Sequence, residues 1–155
     1  MPYIKSAQRY NPNMTFWISP WSPPNWMKIN QDYPVRSDKY NTMHPAKDYY
    51  LQGNKGPKTE GVFPAELAET DFFIQDPRYL SAYANFFCKF VSAYKELNIP
   101  IKMVMFQNES WSYTPYPGCA WTPEGIIRFN VEYLAPALKK AHPDVKLYFG
   151  TINTN

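Results

Sequence analysis

The stretch from Asp76 to Phe106 constrains this chain more than any other. Asp76 suits a helix N-cap and Pro77 the first helical position. Leu80, Tyr83, Phe87, Phe90, Tyr94 and Leu97 then recur at three- and four-residue spacing, which makes one apolar helix face. Asn98 can end that helix, and Pro100 prevents its return. Ile101 to Phe106 follows directly, apolar with little alternation, as in a strand covered on both faces. An amphipathic helix feeding a doubly covered strand is the repeating unit of parallel α/β folds.

The same unit can be read on either side. Ile4 to Gln8 reads as the last turn of a helix stopped by Asn11-Pro12, and Thr15 to Ser19 as a buried strand ended by Pro20. Thr122-Pro123 repeats the cap-plus-proline start, and Ile127, Val131, Leu134, Leu138 and Ala141 form the expected stripe. Pro136 lies inside that stripe and predicts a kink or break near Tyr133. Val145 to Phe149 is a third strand, ending at Gly150. Each strand reaches the next through a helix, so the strands should be parallel and the crossovers right-handed. The chain has 155 residues, the length of one domain but short of the ~200 that a complete (β/α)8 barrel needs. Much of that length goes into two irregular stretches, one between Pro20 and Asp76 and one from Trp111 to Trp121. The 16 prolines, 13 tyrosines, 10 phenylalanines and 5 tryptophans, against 6 glycines, point to ordered loops rather than flexible linkers. Polar and aromatic residues collect just after the strands, at Ser19-Pro20-Trp21, at Asn108-Glu109 and from Thr151 to Asn155. In α/β folds that is the ligand-binding end.

Several function classes drop out. Net charge is +3 and no five like charges adjoin, so no nucleic-acid patch is expected. The longest apolar run, near 101–106, contains Lys102 and falls far short of the ~20 residues of a membrane span. Met1-Pro2-Tyr3-Ile4-Lys5 is not a signal-peptide start. Cys88 and Cys119, with His44 and His142, give no metal-binding spacing, and no cofactor motif appears.

Glu109 is the first candidate for chemistry. It lies about three residues past a buried parallel strand, partly stripped of water, a setting suited to a general acid. Asn108 beside it offers both a donor and an acceptor. The five tryptophans, Trp17, Trp21, Trp26, Trp111 and Trp121, fall at a strand end or in the two long loops, where some of them could stack on sugar faces. The segment SPWSPPNWMK, Ser19 to Lys28, holds three prolines and two tryptophans in ten residues and reads as a rigid wall.

With QNES after the next strand and the YPGCAWTPEG segment, these residues resemble glycoside hydrolase family 30. These retaining β-glycosidases include glucosylceramidases and β-1,6-glucanases, and the likeness runs from about Ile4 to Asn155, closest to the bacterial branch. The resemblance implies parallel β/α units of a TIM (β/α)8 barrel, with about strands three to five present over 1–155 as one partial domain. It implies that Glu109 is the acid/base after the fourth strand. By the same likeness Asn108 bonds the sugar 2-hydroxyl and Trp21 lines the −1 site, with Trp26 and Trp111 as further substrate-binding aromatics. Ser110 stands where the family usually has proline. The family nucleophile follows the seventh strand, and none of Glu60, Glu66, Glu69, Glu96, Glu124 or Glu132 has a comparable setting.

The expectations are therefore a barrel segment acting on a β-linked glucan, oligosaccharide or glucoside, without cofactor or metal. It should be inactive alone and should need missing barrel segments or self-association for stability. The whole protein is expected to be secreted or periplasmic. A non-catalytic carbohydrate-binding module or pseudoenzyme using Trp21, Trp26 and Trp111 is the alternative. Asn13-Met14-Thr15 and Asn108-Glu109-Ser110 fit the N-glycosylation pattern.

Overall fold

A computed structural model describes residues 1–48, 50–51, 67–68 and 70–151. Glu60, Glu66, Glu69 and the polar tail after Thr151 lie outside the described residues. Helix α1 (Pro2–Tyr10) leads to strand β1 (Phe16–Ile18). The long loop that follows holds two 3-10 turns, Asn25–Met27 and Pro45–Lys47, and a two-residue parallel ladder, β2 (Tyr50–Leu51) with β3 (Leu67–Ala68). Then come helix α2 (Pro77–Glu96) and strand β4 (Ile101–Met105). Helix α3 (Pro123–Arg128) passes through a π-helical segment (Phe129–Leu134) into α4 (Ala135–Ala141), and β5 (Lys146–Tyr148) closes the order.

Strands β1, β4 and β5 form one parallel sheet in the order β1-β4-β5, as the alternation of strands and helices predicts. The caps also follow the sequence. Asp76 accepts the Arg78 backbone N–H at 2.8 Å, and Thr122 Oγ1 accepts that of Gly125 at 2.9 Å. α1 docks on the end of α2, with Lys5 Nζ donating to Leu97 O and Gln8 Nε2 to Asn98 O.

The break near Tyr133 is a widened turn. Pro136 has no N–H to give, and the Ala135 N–H reaches back five residues to Asn130 O. This changes which residues face inward. Ile126, Phe129, Asn130, Leu134 and Leu138 are buried, whereas Ile127 and Val131 are each 56 % exposed. The expected stripe through Ile127 and Val131 is thus corrected: the inserted residue aligns Ile126 and Phe129 with Leu134 and Leu138.

The core lies between the sheet and these helices. Phe73, Tyr83, Phe87, Phe106, Trp121 and Phe129 form one aromatic cluster; Phe73 and Trp121 stack at 4.8 Å. Trp121 is therefore a core residue and no part of a ligand surface.

Candidate active site

The ends of the three strands are laced together by backbone hydrogen bonds. Asn108 N–H donates to Pro20 O at 2.8 Å, Glu109 N–H to Thr151 O at 2.9 Å, and Thr151 N–H to Gln107 O at 3.2 Å. Gln107 is fully buried, and its Nε2 holds Trp21 O at 2.6 Å. Gly150 allows this closeness: its φ is +100°, and a Cβ there would run into Gln107 O. The carbonyls after β1, the residues after β4 and the start of the segment after β5 thus share one frame.

Glu109 sits on that frame with φ +50°, a left-handed conformation uncommon for a residue with a Cβ. Outliers of this kind persist where the surroundings hold them, and they cluster at functional sites. Here the Thr151 carbonyl holds the Glu109 N–H, and Ser112 N–H donates to Glu109 O at 3.1 Å. The half-buried carboxylate accepts Ser112 Oγ at 3.2 Å and lies close enough to the Tyr116 side chain to act on its titration. Burial, then the Glu109 charge, pushes the Tyr116 phenol up from its ordinary value, so it remains a proton donor toward the carboxylate. Asn108 Oδ1 accepts Thr151 Oγ1, which fixes its amide orientation.

Trp21 joins this group through Tyr116. Its ring is 43 % exposed and meets Tyr116 edge-to-face, with centroids 5.2 Å apart and planes at 85°. Trp21, Tyr116, Ser112, Asn108 and Glu109 thus form one open, aromatic-walled patch with a single carboxylate. Trp111 is half-buried in the turn just after Glu109.

Trp26 is held elsewhere. It is 55 % exposed on its 3-10 turn and rests on Tyr79 in the first turn of α2, with centroids 5.8 Å apart. Trp17 is exposed on β1. The five tryptophans do not make one shared surface. Trp21 and Trp111 lie beside Glu109, Trp26 stands at the helix start, Trp17 is on the strand and Trp121 is in the core.

The sequence assigns no role to Tyr116, Ser112 or Gln107, and marks Thr151 only as part of the polar group after the third strand. Tyr116 is signalled by its place in the YPG segment; Ser112 reaches Glu109 within one turn, and Gln107 and Thr151 act through contacts between distant loops. Glu96 ends α2, Glu124 begins α3, and Glu132 pairs weakly with Arg128 at 3.9 Å. Among the described residues no cluster of three His, Cys, Asp or Glu groups could hold a metal, and no helix is long and apolar enough to cross a membrane.

The profile of the glycosyl hydrolase family 30 TIM-barrel domain matches residues 1–53. The chain is 28 % identical over 153 residues to endo-1,6-beta-D-glucanase neg1 of Aspergillus fumigatus, covering 98 % of this chain and 26 % of that protein. It is 27 % identical over 149 residues to endo-1,6-beta-D-glucanase BGN16.3 of Trichoderma harzianum, covering 94 % and 25 %. Its fold is similar to SrfJ from Salmonella typhimurium, with TM-score 0.66 and 22 % identity over 95 % of this chain and 25 % of that one. The chain spans about a quarter of the length of the curated relatives it matches.

Proposed function

We propose, for a chain that belongs to glycoside hydrolase family 30, that Glu109 is the acid/base carboxyl of a retaining β-glycosidase site that takes a β-1,6-linked glucan. The observation that carries the reading is the left-handed Glu109, pinned at the end of β4, bonded to Ser112 and close to Tyr116, which packs against the open Trp21. In this reading Glu109 protonates the glycosidic oxygen and later deprotonates water. Asn108 bonds the 2-hydroxyl of the sugar, Trp21 stacks on the ring in the −1 site, and Trp111 extends the surface outward. Strands β1, β4 and β5 are the third, fourth and fifth of the barrel.

Two fungal relatives carry the name endo-1,6-beta-D-glucanase, and this favours a glucan over a glucosylceramide. Export of the whole protein belongs to the same reading, since polysaccharides lie outside the cell. Retaining hydrolysis needs a second carboxyl ~5–5.5 Å from the first. Glu96, Glu124 and Glu132 are all helix residues. In this reading, as the family resemblance implies, the nucleophile comes from another strand of the barrel, and the 155 residues alone bind sugar without hydrolysing it.

Calorimetric titration with a β-1,6-linked gluco-oligosaccharide is expected to show weak binding that falls about tenfold or more in Trp21→Ala, the loss of one stacking ring. No aryl β-glucoside should turn over. Turnover that disappears in Glu109→Gln would show that this chain already holds both carboxyls. Absence of oligosaccharide binding would remove the sugar site itself.

A further inference from the structure

Lys28 closes SPWSPPNWMK and is fully buried, at 0 % exposure. An ammonium has three N–H donors, and three backbone carbonyls take them. Tyr33 O lies at 2.7 Å, Pro34 O at 3.1 Å and Gly118 O at 2.6 Å. The first two belong to the loop after β1, and the third to the loop after β4. Tyr33 O also accepts the Gly118 N–H at 3.1 Å, and Pro34 O also accepts Asn30 Nδ2 at 2.8 Å. Gly118 O is the carbonyl that depends on the ammonium.

The titratable groups whose charges reach Lys28 are Cys119 and Asp32. Asp32 is shared with Lys47 at 3.4 Å, and burial pushes the Cys119 thiol up to about 12, so it stays neutral. Burial lowers Lys28 itself to about 8. A charge kept inside on carbonyls alone costs stability, and an apolar side chain of similar length would fill the space at less cost. What the cation adds is direction: three fixed bonds across two loops.

The second loop carries Tyr116. Its near end is tied by Val35 N–H and Arg36 N–H to Thr114 O, at 3.0 and 3.1 Å, and by Asn41 Nδ2 to Pro115 O at 2.8 Å. The Lys28 bond secures the far end, two residues past Tyr116. The two loops touch here, since a Cβ on Gly118 would meet Thr114 Oγ1 at 2.7 Å and Val35 at 3.2 Å.

We propose that Lys28 is a positioning residue of the sugar site: its ammonium locks the loop after β1 to the loop after β4, so that Tyr116 meets both Trp21 and Glu109. This rests on reading those three residues as the sugar site.

Lys28→Met keeps the stem and removes the donors. In the full chain, far-UV circular dichroism and the amide spectrum of α2 should stay as they are. The NMR ring-current shifts of the Trp21–Tyr116 pair should move toward free-residue values, and Kd for the β-1,6-linked oligosaccharide should rise about tenfold, as for lost preorganisation. If the lysine only fills space, Lys28→Met should leave the ring shifts and Kd alone. A folded Lys28→Met chain with unchanged ring shifts overturns the inference.

Should that variant fail to fold, the unmodified chain decides. Val35, Arg36 and Gly118 amide protons are expected to exchange with solvent as one unit. Gly118 exchanging independently of Val35 and Arg36 overturns the inference. If the unmodified chain binds no oligosaccharide, the sugar-site reading fails by itself, and the ring shifts still decide what Lys28 holds.

Discussion

Asp71 is a buried carboxyl whose two oxygens accept the backbone N–H and the Oγ1 of Thr122, the residue that opens α3. Gly125 makes room for it, since a Cβ there would collide with the carboxylate. Burial raises the Asp71 pKa from 3.8 against the opposing pull of those hydrogen bonds. The sign of the pH effect follows. The folded chain holds a proton that the unfolded chain has already released, so the stability Asp71 contributes is fully present below 3.8 and is lost as pH rises through the raised value. At neutral pH the charge is a burden while the hydrogen bonds remain useful. Asp71→Asn should therefore match or exceed the unmodified Tm at pH 7 and lose that advantage near pH 4. Asp71→Ala, which orphans the Thr122 N–H, should cost about 1–2 kcal/mol at both pH values. Thermal melts of the three chains at the two pH values check this. An Asp71→Asn chain melting well below the unmodified one at pH 7 would show that the charge is needed. Nothing near Asp71 in the sequence announces this role, because its partner is 51 residues away. Lys28 is the same case, 90 residues from Gly118.

Elements were more legible than these contacts. The two proline starts, at Asp76-Pro77 and Thr122-Pro123, rest on local chemistry, and both helices begin there. The three strands of the main sheet could be read as apolar runs, but the expectation of cover on both faces is corrected: Trp17 of β1 and Tyr148 of β5 are exposed on one face. The stripe of the last helix could not be read, because counting by 3.6 fails where a turn takes an extra residue. Pro136 marked the disturbance without saying which residues it would turn inward. The corrected stripe is open to test. Phe129 lies against Tyr83, Trp121 and Phe106, so Phe129→Ala should cost about 3–5 kcal/mol in urea unfolding. Val131→Lys, on the exposed side, should stay within about 0.5 kcal/mol. Comparable losses in both would restore the uninterrupted stripe. The site divides the same way. Asn108, Glu109 and Trp21 could be read because they follow strands, while Tyr116 and Ser112 reach Glu109 through the course of a loop that no periodicity describes.

At the scale of the molecule, the sheet has one covered face and one open face. Ile18, Val104 and Leu147 lie in register and pack with the core under the helices. Trp17, Met103 and Lys146 form the neighbouring row, and Met105 pairs with Tyr148 on the same side. Trp17 and Tyr148 are exposed there, with Phe149 exposed just beyond. In a barrel this side is the packed interior, filled by layers of branched and aromatic side chains. β1 and β5 are also the edges of the sheet and carry unpaired backbone groups. Apolar surface and two free edges together favour association over a dilute monomer. Sedimentation velocity should therefore show mass rising with concentration in the micromolar range, and a hydrophobic dye should bind the native chain. Trp17→Lys should reduce both, since it charges the open face at its β1 edge without touching the Glu109 patch. A strictly monomeric chain that melts cooperatively and ignores the dye would mean that the three-stranded sheet with its helices is self-sufficient. The strand ends would then hold Glu109, Asn108 and Trp21 in place without the rest of a barrel around them.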